Sequence, residues 1–368
     1  MKKTLNLKFE HKQKENHQII YYMNTQSILN PVNLMPLAAR VPRVTSELNW
    51  KDKLGAVKVR LAINRYGYMV NPGLYAIGNP SRTSDVFVTS NYKLTFDVVR
   101  KNLAGFNAWI LVLDTKGINV WCAAGKGTFG TVELVKRINE TSLKDIVSHK
   151  KLILPQLGAV GVAAHKVKVQ TGFTVTYGPV RAQDIRPYVE NGYKATPTMR
   201  RVEFPWFERL KLVPVEIVLS YKYLLAALVL LIGLSGFHAG GYSLLVLSEK
   251  WVSVFVNVIV AFLTGTLLAP LLLPYLPFRS FSAKGLSVGI VVTAILFAFN
   301  LLGSNYLENI SWVLIFASMS SFLAMNFTGA STYTSLSGVL KEMKIGIPIQ
   351  VAGAIAGLVL FTVSRFFN

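Results

Sequence analysis

The chain has 368 residues, room for two domains at about 100–200 residues each. Hydrophobic residues make up 52% and mean hydropathy is +0.40, which excludes a single soluble globule. The net charge is +21, yet only seven Lys/Arg against four Asp/Glu lie after Val215, so the basic excess belongs to residues 1–215. Those Lys/Arg are dispersed and not interleaved with stacking aromatics, which argues for a solvated face turned to an anionic leaflet and against a nucleic-acid site. One cysteine, Cys122, excludes an intrachain disulfide, a four-cysteine zinc site and an iron–sulfur cluster held by this chain alone.

Residues 1–45 are polar, rich in Lys, Asn and Gln, and without periodicity, so a disordered segment is expected. Their basic start lacks the apolar core of a signal peptide, which keeps the next domain in the cytoplasm. Residues 46–198 alternate strands with helices. The apolar runs Asp85–Thr89, Ala108–Leu113, Lys151–Leu154 and Phe173–Tyr177 read as buried parallel strands. Helical patterns cover Leu94–Leu103, Thr131–Asn139, Val162–Val169 and Asp184–Asn191. This alternation predicts a Rossmann-like α/β sheet with helices on both faces.

A Pro-spaced basic and aromatic linker, residues 199–217, leads to an all-α transmembrane domain over 218–368. Its five apolar segments run Val218–Phe237, Trp251–Leu273, Leu286–Leu302, Ile310–Met325 and Ile347–Phe366, each close to the ~20 residues that cross a bilayer. Arg279, Lys284, Lys341 and Lys344 lie in the second and fourth loops, Lys250 in the first and no basic residue in the third. The positive-inside rule then puts the α/β domain on the cytoplasmic side of the cytoplasmic membrane and the C-terminus outside, with Arg365 as the contrary sign. The span interiors lack Asp, Glu and Arg, which argues for an anchor over an ion-coupled transporter. Gly353 and Gly357 permit close helix packing, and Asn257 reads as an interhelical hydrogen bonder.

GKGTFG, Gly125–Gly130, fits a dinucleotide fingerprint only if Ile118–Ala123 is a strand running into it. The five histidines form no cluster at metal-ligand spacing. Within NVWCAAGK, Cys122 sits beside alanines and is most simply a small core residue. Its position points elsewhere, because the strand at 108–113 ends at Asp114 and the following loop leaves the carboxyl edge, where open α/β folds bind ligands. Asn119 can cap a helical turn through Trp121–Ala124 closed by Gly125. The first-turn N–H groups and Lys126 would favour the thiolate. Ala123 and Ala124 would let a flat cofactor approach. One thiolate can supply the axial ligand of a metal whose equatorial positions a macrocycle fills.

NVWCAAGK resembles the cap-helix motif of the mercury-methylation corrinoid protein family. Thr89–Asp97, Ala108–Thr131, Leu154–His165 and Tyr177–Ile185 resemble the corrinoid domain shared with the corrinoid iron–sulfur protein of the acetyl-CoA pathway. Asn326–Met343, within a five-span tail, is similar to the membrane half of the mercury proteins. The resemblance implies a cobalamin-type corrinoid with Cys122 thiolate as the lower axial ligand of cobalt. It implies a methyl group received from a methyltetrahydrofolate-linked methyltransferase and passed to Hg(II). It also implies a small ferredoxin partner with two 4Fe–4S clusters that re-reduces cobalt. Around Cys122, Asn119 orients the cap and Trp121 packs it. Thr115, Val120, Ala123, Ala124, Gly125, Lys126, Gly127 and Thr128 belong to the same loop and cap. Thr89, Asn91, Tyr92, Gln156, Leu157, Gly158, Tyr177, Gly178, Pro179 and Arg181 complete the corrin pocket. Rival readings are a corrinoid methyl carrier with another acceptor, a nucleotide-binding membrane module using GKGTFG, and a purely structural scaffold.

Overall fold

The computed structural model describes residues 37–327 and 336–367. Most of the polar segment expected over 1–45, and the middle of Asn326–Met343, lie outside the described residues. The chain divides into two units, Met1–Pro42 and Arg43–Asn368. Within the first, Leu37–Arg40 forms one 3-10 turn.

The second unit opens with β1 (Arg43–Val44), α1 (Trp50–Arg60) and β2 (Gly73–Ile77). Then follow β3 (Val86–Ser90), α2 (Lys93–Asn102), β4 (Ala108–Leu113), α3 (Val120–Lys126), α4 (Thr131–Glu140) and α5 (Leu143–Ile146). β5 (Lys151–Leu154), α6 (Ala164–Thr171), β6 (Thr174–Tyr177) and α7 (Ile185–Glu190) complete the α/β part. The sheet order is β1-β2-β4-β3-β5-β6, with β3, β4, β5 and β6 parallel. β3 and β4 are buried at every position, as strands covered on both faces are. The four strands read from the sequence are present to within a residue at each end. The sheet is nevertheless mixed, because β2 pairs antiparallel with β4 and carries β1 outside it. Neither strand was legible in the sequence, and β1 falls within the stretch read as disordered.

α2 and α7 cover one face, where Phe96, Leu103, Ile185 and Tyr188 pack on Phe87, Ile110 and Ile153. Alternation turns Val88, Leu111 and Leu152 to the other face. There Leu134 and Ile138 of α4 and Val167 of α6 are fully buried. Chain leaving β3 therefore goes to one face and chain leaving β5 to the other. The gap between the carboxyl ends of these neighbours is a topological switch point.

α1 is bolted on by a four-member ionic network. Asp52 accepts from Lys93 Nζ at 2.6 Å and Arg100 Nη2 at 2.7 Å, and Asp97 accepts from Lys93 Nζ and Arg100 Nε, both at 2.7 Å. Arg100 Nη1 also donates to the carbonyls of Thr45 and Glu47. Removing one partner strands buried charge, so Arg100→Leu should cost about 3–5 kcal/mol, read by denaturant unfolding. Burial alone would raise the Asp52 carboxyl, but hydrogen bonds from Lys93 and Arg100 outweigh it and hold it below the ordinary value of 3.8. A carboxyl depressed in the folded state stabilises fully above its unfolded value and loses that contribution as pH falls through the lower folded one. Melting temperature should therefore drop below about pH 4, and Asp52→Asn should flatten that acid limb.

The segment read as a linker is ordered: it carries α8 (Trp206–Leu210) and the first turn of α9 (Val213–Ser235). A β7–β8 hairpin (Phe237–His238, Gly241–Tyr242) precedes α10 (Leu244–Leu263), which continues through a wide turn at Thr264–Leu268 and ends at Tyr275. α11 (Phe281–Ala298), α12 (Tyr306–Asn326) and α13 (Leu336–Ser364) follow. Among the described residues, five helices are long and apolar enough to cross a membrane. Each of the five expected segments falls on one of them. α12 is the hub: Gly285 and Gly289 of α11 meet it at Ser320, and Gly353 and Gly357 of α13 meet it at Ser318 and Ile315. Asn257 donates to the Leu302 carbonyl at 2.8 Å. Glu308 and Arg365 pair with each other, both buried, so Arg365 is neutralised and loses its weight as a topology signal.

Candidate functional site

A cavity of about 540 Å3 sits at the switch point. Thr89, next to last in β3, lies at its floor, with Leu154 and Pro155 at the end of β5. Leu94, Thr95 and Val98 of α2 form one wall, and Asn119, Val120 and Trp121 form another. The roof is the loop after β6, through Pro179 and Arg181, together with Glu203 and with Glu208 and Lys211 around α8. Tyr92 and Leu157 also line it. Of the residues expected around the corrin pocket, Thr89, Tyr92, Asn119, Val120, Trp121, Leu157, Pro179 and Arg181 line this cavity. The sequence missed Arg60, the exposed face of α2, and everything contributed by the segment read as a linker.

Cys122 stands beside this cavity in the first turn of α3, half-buried and free. Asn119 caps the helix, its Oδ1 accepting from the Cys122 N–H at 3.0 Å. The helix runs to Lys126 and closes on Gly127, whose φ of 82° is the left-handed conformation that favours glycine. The sequence expected closure two residues earlier, at Gly125. Because Val120–Ala123 is helix, no strand feeds GKGTFG and the dinucleotide fingerprint fails.

The loop that delivers α3 is fixed by Asn91 and Thr115, both buried. Asn91 Oδ1 accepts from the Thr115 N–H, the Thr115 hydroxyl and the Gly117 N–H at 3.1, 2.8 and 3.0 Å. Asp114 is kept below the ordinary carboxylate value despite burial, because Lys116 donates to it at 2.6 Å. These residues shape the loop and do not line the cavity. Losing the Asn119 cap should cost about 1 kcal/mol, so Asn119→Ala should loosen α3, seen as faster amide exchange at residues 120–126.

Ala123 and Ala124 face inward, at 0% and 5% exposure. A side chain on Gly161 would run into the Phe129 carbonyl and come within 3.1 Å of Ala124 Cα, and one on Gly158 would strike the Phe129 ring. The loop after β5, including Gln156–Gly158, thus packs directly on α3, and the small residues serve that contact. Trp121, Cys122, Gly125 and Lys126 form the outer surface. A Cβ built on Gly125 or Gly127 meets nothing within 4 Å. Thr128 Oγ1 approaches the Ala123 carbonyl at 3.4 Å. Tyr177 donates to the Val162 carbonyl, and burial pushes its hydroxyl up from the ordinary tyrosine value. Gly178 bonds back to Leu154, and Arg181 ties the β6 loop to Glu203 at 3.7 Å.

Thr89 Oγ1, on the cavity lining, has no hydrogen-bond partner, nor do Ser90 Oγ and Gln156 Oε1 in the adjoining strand end and loop. Such atoms are costly unless a ligand or water meets them. Among the described residues, no three His, Cys, Asp or Glu side chains gather as a metal-holding group.

Fold and site define a doubly wound α/β domain with a switch-point cavity and a capped cysteine helix, joined to five apolar helices. Residues 60–189 match the family model described as CO dehydrogenase/acetyl-CoA synthase delta subunit. The acetyl-CoA decarbonylase/synthase complex subunit gamma of Archaeoglobus fulgidus is 33% identical over 126 residues, 34% of this chain and 26% of that protein. The subunits gamma of Methanopyrus kandleri and Methanocaldococcus jannaschii are 37% and 35% identical over 124 and 126 residues, covering 33% and 34% of this chain and 26% and 25% of theirs. The chain spans about a quarter of the length of these curated relatives. The match to the family model runs from the last residue of α1 into α7, so the likeness it records is to the α/β domain and stops short of the apolar helices.

Proposed function

We propose that the chain is a membrane-anchored corrinoid methyl carrier that passes a methyl group to Hg(II), with Cys122 as lower axial ligand. The observation that carries this reading is the place of the single cysteine, half-buried in the first turn of a capped helix beside a switch-point cavity. The residues fit a corrinoid: Thr89, on the cavity lining, has an unpartnered hydroxyl for a macrocycle rimmed with amides, and Gly125 and Gly127 leave backbone bare for a flat ring. When bound, a corrinoid supplies a cobalt centre that takes up a methyl group and releases it.

The chain's own residues set how that group behaves. Cys122 would hold the cobalt through its sulfur, and a corrinoid held so would supply methyl transfer to an electron-poor acceptor such as Hg(II). Asn119 holds the backbone under that sulfur, while Asn91 and Thr115 hold the loop. Likeness to acetyl-CoA decarbonylase/synthase subunits supports the corrinoid part. NVWCAAGK joined to an apolar five-helix tail supports mercury as acceptor. One cysteine cannot bind iron–sulfur clusters, so electrons come from a partner, the small two-cluster ferredoxin. The methyl group comes from a donor methyltransferase or from methyltetrahydrofolate. The five helices cross the cytoplasmic membrane, with Arg279, Lys284, Lys341 and Lys344 on the same side as the α/β domain.

The test is coexpression with the ferredoxin, an assay of methylmercury from Hg(II), and a visible spectrum of the purified chain. Corrin bands with methylmercury are expected. Corrin bands without it would assign another acceptor, and a colourless chain would sink the reading. Gly125, next to last in α3, gives a second check: glycine in a helix costs up to about 1 kcal/mol against alanine, and no packing demands it. Gly125→Ala should raise the melting temperature of the cofactor-free chain yet weaken corrinoid retention.

A further inference from the structure

α1 turns three of its apolar residues away from the protein. Trp50, Leu54 and Val57, at helical spacing on one stripe, are 67%, 42% and 51% exposed. The opposite side holds buried Asp52 and Val59 and is fixed to the domain by Arg100, Lys93 and the Tyr68 ring over Gly55. At about 100° per residue, Lys51 and Lys58 flank one edge of the exposed stripe, and Lys53 and Arg60 flank the other. A surface helix of a soluble domain has the reverse arrangement, with apolar residues inward and charges outward. An outward apolar stripe between two cationic edges suits a helix lying in a lipid surface, where basic stems reach up to phosphates.

The location agrees. Arg60, the last residue of α1, lines the same cavity as Glu208 and Lys211. Arg65 lies within electrostatic range of Glu216 in the first turn of α9. α1 therefore ends where the apolar helices begin, and there α8 leaves Trp206 62% exposed. We infer that α1 docks on the anionic headgroup surface of the bilayer, with Trp50, Leu54 and Val57 in the acyl boundary and Lys51, Lys53 and Lys58 on phosphates. This rests on the reading that the five helices cross that bilayer. Such docking fixes the α/β domain to the surface at a second point besides the α8–α9 connection.

The full chain carrying Leu54→Cys in a Cys122→Ser background, spin-labelled and reconstituted in nanodiscs, tests this. Power saturation reads accessibility to oxygen against a water-soluble nickel chelate. In discs of phosphatidylcholine with phosphatidylglycerol, the oxygen-to-chelate ratio at 54 should exceed several-fold that of a label at Lys144, an exposed site. It should fall in phosphatidylcholine alone, and fall to the Lys144 value on adding Lys51→Glu, Lys53→Glu and Lys58→Glu. A water-like ratio at 54 in both discs would overturn the inference. So would low access to both reagents, the mark of a covering protein surface, or indifference to charge reversal. A label at Ile290, half-exposed in the middle of α11, separates the two readings. Lipid at 290 with water at 54 removes the docking alone, whereas water at 290 removes the spanning helices and the docking with them.

Discussion

Cys122→Ala should leave the chain folded and lower methylmercury formation at least about 100-fold, equivalent to about 2.7 kcal/mol of barrier. The fold should tolerate it because the side chain is only half-buried and α3 is held by its neighbours Val120, Ala123 and Ala124, all buried. The chemistry should not, because alanine has no sulfur with which to hold the cobalt. Cys122→His separates binding from transfer: a neutral nitrogen should keep corrin bands in the spectrum while slowing release of methyl to Hg(II). Full activity in Cys122→Ala would remove the axial-ligand role altogether.

Gly161→Ala should be nearly as damaging, though it lies far from Cys122 in sequence. Its Cβ would collide with the Phe129 carbonyl and crowd Ala124 Cα, and both are backbone that cannot swing aside. Either the β5 loop or α3 must shift, at a cost of about 1–3 kcal/mol for overpacking. The expected result is a lower melting temperature together with loss of corrin bands. Thr131 gives a milder comparison, since its hydroxyl accepts from the Ala163 N–H at 2.9 Å in the same seam. Thr131→Val should lower stability without displacing α3. Unchanged corrinoid retention in Gly161→Ala would show that the seat of the cap helix does not govern binding.

The strands at 86–90, 108–113 and 151–154 were legible because burial writes them as largely apolar runs, and the edge strand 174–177 because exposed Thr174 and Thr176 alternate with buried Val175. β1 and β2 were not, since a two-residue strand has no period and β2 is interrupted by Gly73 and an only half-buried Tyr75. The cap helix could be read from Asn119, but its end could not: Gly125 and Gly127 are equally plausible stops until φ assigns the left-handed turn. Asn91 was read as part of a pocket and proves to hold the loop, because a buried amide with three donors converging on it looks in sequence like any other polar residue near a strand end. Glu203, Glu208 and Lys211 were invisible for a different reason. Their segment has the proline spacing of a tether, and only its return over the sheet makes it a wall.

That returning wall bears on how the domain can be studied in isolation. A chain severed after Thr198 would keep Cys122, the sheet and the whole stretch, 60–189, that the family model matches. It would also lose the lid over the β3–β5 gap and the acidic partner of Arg181. Affinities measured on such a fragment would describe an open bowl, whereas the intact chain closes its bowl with the same residues that lead into its first apolar helix.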